Sequence, residues 1–345
     1  MVMQKTDVAV IGLGAMGSSA LWWLARRGID AVGFEQFAPG HERGSSHGGT
    51  RIFRFAYYDP FYVRMAQASL PLWRELEDDA GEPLLDITGA VDHGTPESVD
   101  MVADALAACG APFELLAPDA AAERWPAMRF DRHVLFHPDG GRCRADATVH
   151  ALQRRARDHG ATIHHETRAH LTVHDDRVDI ATDRGEWSAR VAIVTAGAWV
   201  TDVLGAASAP PLTVTQEQVQ HFTPVVDMDW PSFIHHREKW VYGLLTPGEG
   251  VKVDEHFTGP VIHPDHRVAR NDDLEQVMVR YVEEWMPGLD PTPHHRAECL
   301  YTTTPDEHFV VERVGPVVIG SPCSGHGFKF TPFVGRQLAE LAAGS

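Results

Sequence analysis

Short apolar runs separated by a glycine-rich turn dominate the start of the chain. Residues 8–11 form a fully apolar run that predicts a buried strand, and a helical pattern over residues 18–27 follows the turn Gly12-Leu13-Gly14-Ala15-Met16-Gly17. A second apolar run, at residues 31–34, ends at Glu35. Such glycines let a pyrophosphate approach the helix N-terminus, and an acidic side chain after the second strand can accept hydrogen bonds from ribose hydroxyls. The pattern predicts a Rossmann-like dinucleotide-binding unit, with an ordinary glycine-rich turn of a parallel sheet as the alternative.

Later apolar runs predict further strands at residues 161–165 and 191–194 and a hairpin-like stretch at 178–189. Between residues 210 and 300 prolines become frequent, and strand-like pieces such as 219–222 alternate with a helix. That helix is expected to begin near Asp272, with Glu275 placed for a capping box, and to stop at Pro287-Gly288. This change in pattern indicates a second domain.

The predicted fold class is α/β with an α+β second domain. A Rossmann-like cofactor-binding domain is expected from residues 1–80, 140–210 and 300–345, and a discontinuous substrate domain with an antiparallel sheet from 81–139 and 211–299. A chain of 345 residues is long for one core, which favours two domains.

Charge and cysteine content exclude several classes of partner. The net charge of −18 would be repelled by nucleic acid and by an anionic membrane surface, and no apolar run is long enough to span a bilayer. The four cysteines are scattered without a Cys-x-x-Cys pair, which suits a reduced cytoplasm. Paired histidines, such as those at 235–236 and 294–295, point to opposite faces of a strand. We therefore expect a soluble cytoplasmic protein without a metal.

The C-terminal segment contains a second set of residues suited to a cofactor. The turn Gly325-His326-Gly327 lets the backbone pass close to a flat ligand, Lys329 adds a donor, and Cys299 supplies a thiol upstream. We interpret this set as a flavin site. Thr331-Pro332 is expected to be the N-cap and first residue of a helix whose positive end points at the ligand.

Two arginines follow a loop of small residues, Ser45-Ser46-His47-Gly48. Arginine holds a carboxylate through two parallel hydrogen bonds, so Arg51 or Arg54 could anchor an acidic substrate or face the flavin. The alternative is a pair of solvated surface arginines.

Together these motifs resemble the monomeric sarcosine oxidase and N-methyltryptophan oxidase family of FAD-dependent amine oxidases, within the D-amino-acid-oxidase-like group. The resemblance runs over nearly the whole chain and rests on residues 12–17 with Glu35, 46–54, 196–199, 242–243, Lys252 with His256, 299–309 and 324–330. Gly49 departs from the family pattern, in which aspartate is frequent at this position, and Pro322-Cys323 departs from it before the Ser324 turn.

The resemblance implies a role for each matching residue. Lys252 would promote oxygen reduction, His256 would orient the amine, and Arg51 would act beside the flavin; Arg54 and Lys329 would hold the substrate carboxylate between walls formed by Tyr242 and Tyr301. Cys299 would be joined to the flavin through its sulfur. The cofactor contacts implied are Gly12, Gly14, Met16, Gly17, Glu35, Ser46, His47, Arg51, Gly197, Trp199, Cys299, Gly325, His326, Gly327 and Lys329.

The function implied is that of a monomeric FAD-dependent oxidase acting on a secondary amino acid, such as sarcosine or another N-methyl or cyclic amino acid. Hydride would pass to the flavin, O2 would be reduced to H2O2, and the imine product would hydrolyse. Three alternatives stay open: a nicotinamide-dependent hydroxyacid dehydrogenase, a flavin-binding protein without turnover, and a flavin dehydrogenase that passes electrons to another protein.

Overall fold

The structure, a computed structural model, describes residues 3–344. In chain order its strands are β1 Gln4–Ile11, β2 Ala31–Phe34, β3 Thr50–Phe53, β4 Leu85–Ile87, β5 Ala90–Gly94, β6 Glu114–Leu116, β7 Val134–His137, β8 Gly141–Arg144, β9 Thr162–His164, β10 His170–Val173, β11 Val178–Thr182, β12 Gly185–Val194, β13 Thr213–Pro224, β14 Ser232–His236, β15 Val241–Thr246, β16 Gly250–Glu255, β17 Leu289–Thr303, β18 Val310–Val314 and β19 Val317–Ser321. The α-helices are α1 Ala15–Arg26, α2 Pro60–Ala80, α3 Pro96–Ala108, α4 Pro118–Arg124, α5 Ala145–Asp158, α6 Val200–Leu204, α7 Asp272–Trp285 and α8 Thr331–Ala343.

The first sheet has the parallel centre expected of a nucleotide-binding domain. Its order is β10-β11-β12-β1-β2-β9, and β19 pairs with the end of β12 while β18 pairs with β19. The pairs β1/β12, β1/β2, β2/β9 and β12/β19 are parallel. Residues 8–11 of β1 are buried because helices and strands cover both faces, which is why this strand reads as an unbroken apolar run. The carboxyl ends of β1, β2 and β12 meet at the glycine-rich turn.

The second sheet supplies the opposite wall of the molecule's large cavity. Its order is β17-β13-β16-β15-β14-β5-β7-β6, and all its pairs are antiparallel except β5/β14, which is parallel. The predicted antiparallel sheet therefore contains one parallel pair, because β5 and β14 come from two separate chain segments that meet side by side. An aromatic core that includes Trp125, Phe233 and Tyr281 lies on the α7 side of this sheet.

A small third sheet, β3-β8-β4, is built from residues 50–144. Asp86 of β4 pairs there with Arg142 and Arg144 of β8. These paired charges hold β3, and therefore the arginines that follow the small-residue loop, against the rest of the fold. Within residues 3–344 no helix has the length and apolar character needed to cross a bilayer.

Three local predictions were wrong in detail. Helix α1 begins at Ala15, three residues earlier than expected, because the last residues of the glycine turn are already helical. Thr331 has helical backbone angles and is not the N-cap; its hydroxyl donates to Phe328 O at 2.6 Å, since a 3-10 turn leads directly into α8. Glu275 forms no capping box, because Asn271 caps α7 and the Glu275 carboxylate pairs with Arg296 on β17.

The fold class predicted from the sequence is confirmed in its main features, a Rossmann-like α/β half and a second half built on a separate sheet. The domain boundaries stay a prediction. One of them, between residues 299 and 300, falls inside β17, which runs without interruption from Leu289 to Thr303.

Candidate active site

One large cavity, of about 1040 Å³, lies between the first and second sheets. Its wall is formed by the glycine turn, the small-residue loop before β3, the facing surface of the second sheet and the turn before α8. All the predicted site residues except Gly17 line this cavity. Residues that lie far apart in the sequence are therefore gathered at one place.

The glycine turn packs closely against neighbouring protein atoms, so larger side chains would not fit there. A Cβ on Gly12, whose φ is +90°, would lie 2.7 Å from Thr195 O, and a Cβ on Gly14 would lie 3.0 Å from Ser46 Oγ. Gly17 does not line the cavity. A Cβ added to it would lie 1.9 Å from Gly12 O, so this glycine lets α1 pack closely on the turn. Met16 lines the cavity beside it.

Glu35 lies at the end of β2, where the sequence places it. Its Oε2 accepts a hydrogen bond from Leu13 N at 2.9 Å, and its Oε1 accepts one from Phe37 N at 3.0 Å. These bonds fix the carboxylate at the cavity wall and leave further lone pairs for a ligand hydroxyl. Gly197, with φ +54°, and Trp199, held by a bond from its Nε1 to Asp265 Oδ1, line the same end.

The small-residue loop is fixed to the glycine turn and to Arg51. Ser46 Oγ accepts a hydrogen bond from Ala15 N at 3.0 Å, at the N-terminus of α1. The Arg51 guanidinium donates to the carbonyls of Thr50, Ser45 and His47. Burial, together with the Arg51 charge, lowers the pKa of His47 to about 3, so this imidazole is neutral at physiological pH.

Lys252 reaches across from β16 to the loop. Its Nζ donates to Thr50 O at 3.0 Å, and the side chain is buried. Burial lowers the pKa of Lys252 to about 7, and the nearby Arg51 charge acts in the same direction. Cys299 on β17 lines the same part of the cavity; burial raises the pKa of its thiol to about 11, although Arg51 and Lys252 oppose this effect.

Arg54 and Lys329 lie on either side of Tyr57. The Arg54 guanidinium carbon is 4.6 Å, and Lys329 Nζ 5.3 Å, from the centre of the Tyr57 ring. Lys329 Nζ also donates to Tyr57 Oη at 2.8 Å and to His326 O at 2.6 Å. Burial, followed by the Arg54 charge, lowers the pKa of Lys329 well below its usual value. Two cationic groups thus converge on one end of the cavity.

Aromatic side chains enclose that end. His256 Nδ1 lies 3.3 Å from Tyr301 Oη, and the His256 ring is nearly parallel to Trp240 and perpendicular to Tyr242. Burial, followed by the Arg54 and Lys329 charges, lowers the pKa of His256 to about 3. Burial raises the pKa values of Tyr242 and Tyr301 well above the usual value, so both phenols keep their protons.

The turn Gly325-His326-Gly327 is as compact as the sequence indicated. A Cβ on Gly325 would lie 2.7 Å from His256 Cε1 and from Tyr301 Cε2, and one on Gly327 would lie 1.6 Å from Pro322 O. His326 Nδ1 is 3.1 Å from Tyr57 Oη, and burial lowers its pKa well below the usual value. The turn therefore brings its backbone against the substrate end of the cavity.

Several site residues were missed by the sequence reasoning. Tyr57 links the two cations, and behind Arg54 a buried chain of contacts runs from Asp92 to His236 and on to Tyr58. Asp92 Oδ1 lies 3.8 Å from the Arg54 guanidinium and 2.8 Å from His236 Nε2. The position of Tyr57, three residues after Arg54, could have suggested that it belongs to the site. Asp92 comes from a distant strand, and no local sequence motif marks it.

The comparisons with known proteins agree with this geometry. A family profile described as FAD dependent oxidoreductase matches residues 7–341. The chain belongs to this family. It is 32% identical over 359 residues to the monomeric sarcosine oxidase of Streptomyces avermitilis, covering 97% of this chain and 93% of the relative. It is 31% identical over 363 residues to the peroxisomal sarcosine oxidase of Homo sapiens, covering 97% and 92%.

Solved structures share the fold at lower identity. NikD, an unusual amino acid oxidase essential for nikkomycin biosynthesis, superposes with a TM-score of 0.88 at 24% identity, covering 99% of this chain and 94% of that chain. The L-proline dehydrogenase from P. horikoshii superposes with a TM-score of 0.87 at 21% identity, with the same coverage. Family and fold support an FAD-dependent oxidoreductase and not the nicotinamide-dependent alternative.

The residues present fit FAD. Gly12 and Gly14 line the cavity at the N-terminus of α1, which suits a pyrophosphate, and Glu35 is held on the same wall, where it suits a ribose hydroxyl. Arg51, Lys252 and Cys299 line another part of the same cavity, where a flavin ring would contact them.

Proposed function

We propose that this FAD-dependent oxidoreductase is an oxidase of a secondary amino acid, with sarcosine, another N-methyl amino acid or a cyclic amino acid as substrate. The observation that supports this most strongly is the pair of cationic groups, Arg54 and Lys329, at the closed aromatic end of the cavity. The names of the relatives, which include sarcosine oxidases and N-methyl-L-tryptophan oxidase, agree with it.

The substrate carboxylate binds to Arg54 and Lys329. Both groups are buried, and a bound carboxylate favours the protonated form of Lys329, so the hydrogen bonds to it act in a low dielectric and are strong. Asp92 balances the Arg54 charge from behind and leaves the remaining guanidinium donors free toward the cavity. This arrangement fixes the orientation of the α-carbon of the substrate.

The amine lies against the aromatic walls. His256 is neutral, so an imidazole nitrogen can accept a hydrogen bond from the substrate amine. Tyr242 and Tyr301 keep their protons and exclude water from the reacting bond. When bound, FAD would supply the redox chemistry of an oxidase, which is the two-electron oxidation of the amine and the reduction of O2 to H2O2.

Lys252 lies on the flavin side of the cavity, away from the carboxylate end. A positive charge at its Nζ stabilises negative charge that develops on oxygen. Cys299, exposed to the same space, is the residue proposed to tether the flavin covalently. We further propose that the enzyme acts as a monomer; its compartment stays a prediction, since one relative is named as peroxisomal.

A peroxide-coupled screen of N-methyl and cyclic amino acids tests the proposal. The best substrate should show an apparent KM about 10- to 100-fold higher in Lys329→Met, because a charge-assisted hydrogen bond to the carboxylate is lost. Lys239→Met, at an exposed lysine, is the matched control and should behave as wild type. An unchanged KM in Lys329→Met would remove this residue from the carboxylate site.

The two remaining alternatives give different results. A flavin-binding protein without turnover would release no peroxide with any amine. A flavin dehydrogenase would reduce its flavin with substrate but reoxidise it poorly with O2, and Lys252→Met would then leave that slow rate unchanged. An oxidase should instead lose most of its O2 reactivity in Lys252→Met, measured by stopped-flow mixing of the reduced enzyme with O2.

A further inference from the structure

Three side chains with metal-binding atoms meet on the cavity wall next to Lys252. His221 of β13 lies directly opposite Lys252 of β16 on one side and His295 of β17 on the other. Glu249 comes from the turn just before β16. One ligand atom from each of His221, Glu249 and His295 lies within 4.8 Å of the others, and all three residues line the cavity.

His221 is the residue that points most clearly to a ligand. Its side chain is only 2% exposed, yet among the described residues neither ring nitrogen has a hydrogen-bond partner. A buried polar group without a partner is costly, and in native proteins it usually has a water, ion or ligand beside it. Either ring nitrogen of His221 could therefore bind a metal ion, and Nε2 is the nitrogen that faces Glu249.

The distance between the His221 and Glu249 donor atoms is compatible with two ligands of one tetrahedral ion. His221 Nε2 and Glu249 Oε2 are 3.4 Å apart. Good N–H···O hydrogen bonds are shorter, at about 2.7–3.2 Å. Metal–ligand bonds of about 2.0–2.1 Å place two tetrahedral ligand atoms about 3.3–3.4 Å apart.

The backbone around the cluster leaves room for its side chains. Gly49 leaves space for the carboxylate, because a Cβ there would lie 2.9 Å from Glu249 Oε1. The sequence argument against a metal concerned neighbouring histidines on one strand, whereas His221 and His295 come from two adjacent strands.

We propose that His221, Glu249 and His295 form a binding site for a divalent transition-metal ion. Two imidazoles and one carboxylate are a ligand set that Zn²⁺ accepts in three-residue sites, with the fourth position open to water. Here that position would face the cavity. The site is separate from the proposed amine oxidation and does not depend on it.

Equilibrium dialysis of the flavin-loaded full-length enzyme against Zn²⁺, with bound metal measured by atomic emission, tests the proposal. Wild type should retain one equivalent. His295→Ala and Glu249→Gln should bind Zn²⁺ more than about tenfold less tightly. Both positions are at least partly exposed, so the variants should fold, and an unchanged flavin absorption spectrum checks this. His294→Ala, the neighbouring histidine outside the cluster, is the matched control and should bind Zn²⁺ as wild type does.

Two results would overturn the proposal. One is the failure of wild type to retain zinc. The other is equal zinc affinity in wild type, His295→Ala and Glu249→Gln, which would place the metal elsewhere. A second group, Asp202, His263 and Asp265, is fully exposed, and loss of binding in His263→Ala alone would assign the zinc to that group.

Discussion

Lys329 is a buried amine whose pKa depends on what lies beside it. Burial lowers its pKa well below the usual value, and the Arg54 charge lowers it further. A substrate carboxylate next to both groups would raise the pKa again, because it stabilises the charged amine. Carboxylate binding is therefore expected to take up about one proton when the pH lies between the pKa of the free enzyme and that of the complex. Within this window affinity should increase as the pH falls.

Calorimetry of propionate binding in buffers of different ionisation enthalpy measures this uptake, since propionate has a carboxylate but no amine. Lys329→Met should abolish the uptake, and Lys239→Met should leave it unchanged. The other titratable or charged groups at this end include Arg54, Tyr57, His256, His326 and Cys143. Uptake that persists without Lys329 would assign the proton to one of them and contradict the prediction.

The four cysteines provide a second test at the residue scale. Cys299 and Cys323 both line the cavity, but only Cys299 is the proposed tether. A thioether survives acid precipitation, so wild type and Cys323→Ala should give a yellow pellet, whereas Cys299→Ala should release its flavin into the supernatant. Absorbance of the two fractions measures the result. Flavin released from wild type would contradict a covalent link.

The sequence located those site residues that stand in a recognisable local motif. Arg54 and Lys329 stand in recognisable motifs, and both line the cavity. Tyr57, which lies between them, and Asp92, which balances Arg54, depend on how β3, β5 and the turn before α8 come together. Their roles follow from tertiary packing, so one sequence does not reveal them.

Among the elements, the turn Gly325-His326-Gly327 gives the sharpest test. Gly325 has φ +73° and Gly315 has φ +59°, so alanine at either position is strained by about 1–2 kcal/mol. A Cβ on Gly325 would press on His256 and Tyr301, whereas within residues 3–344 nothing lies within 4 Å of a Cβ on Gly315. Gly325→Ala should therefore lower kcat/KM by roughly 10- to 100-fold, as displacements of about 1 Å do.

Gly315→Ala is the matched control, since it has the same backbone strain outside the site. It should lower the melting temperature through backbone strain alone, by no more than Gly325→Ala does, while keeping wild-type kinetics. Equal kinetic losses in both variants would mean that the effect comes from reduced stability and not from contact with His256 and Tyr301.

The elements that the sequence predicted best are buried on both faces. Residues 8–11 of β1, all of β2 and residues 191–194 of β12 read as apolar runs because these parts of the strands are buried on both faces. Strands β13 and β17 are longer and mix polar with apolar residues, since one face lines a polar cavity, and their extent was not predicted. The short strands of the third sheet have three to four residues each, too few for a periodic signal.

At the scale of the whole molecule, the two large sheets meet around the cofactor cavity. The glycine turn and Glu35 come from the first half, whereas Lys252 and Cys299 come from the second sheet. A ligand that fills the cavity therefore contacts both halves, and its binding energy stabilises their joint arrangement. Composition and length indicated two domains, but the way they face each other is a property of the folded chain.

FAD should accordingly stabilise the whole chain, and a variant that binds it reversibly makes this measurable. In Cys299→Ala stripped of flavin, FAD at about 100 times its Kd adds about 2.7 kcal/mol of stability. For a chain of 345 residues this corresponds to a rise in melting temperature of about 4 °C, measured by calorimetry. FMN is the matched control, because it lacks the adenosine half that would reach Gly12 and Glu35. FMN should therefore give a smaller shift at equal concentration, and an equal shift would mean that the first half does not hold the nucleotide.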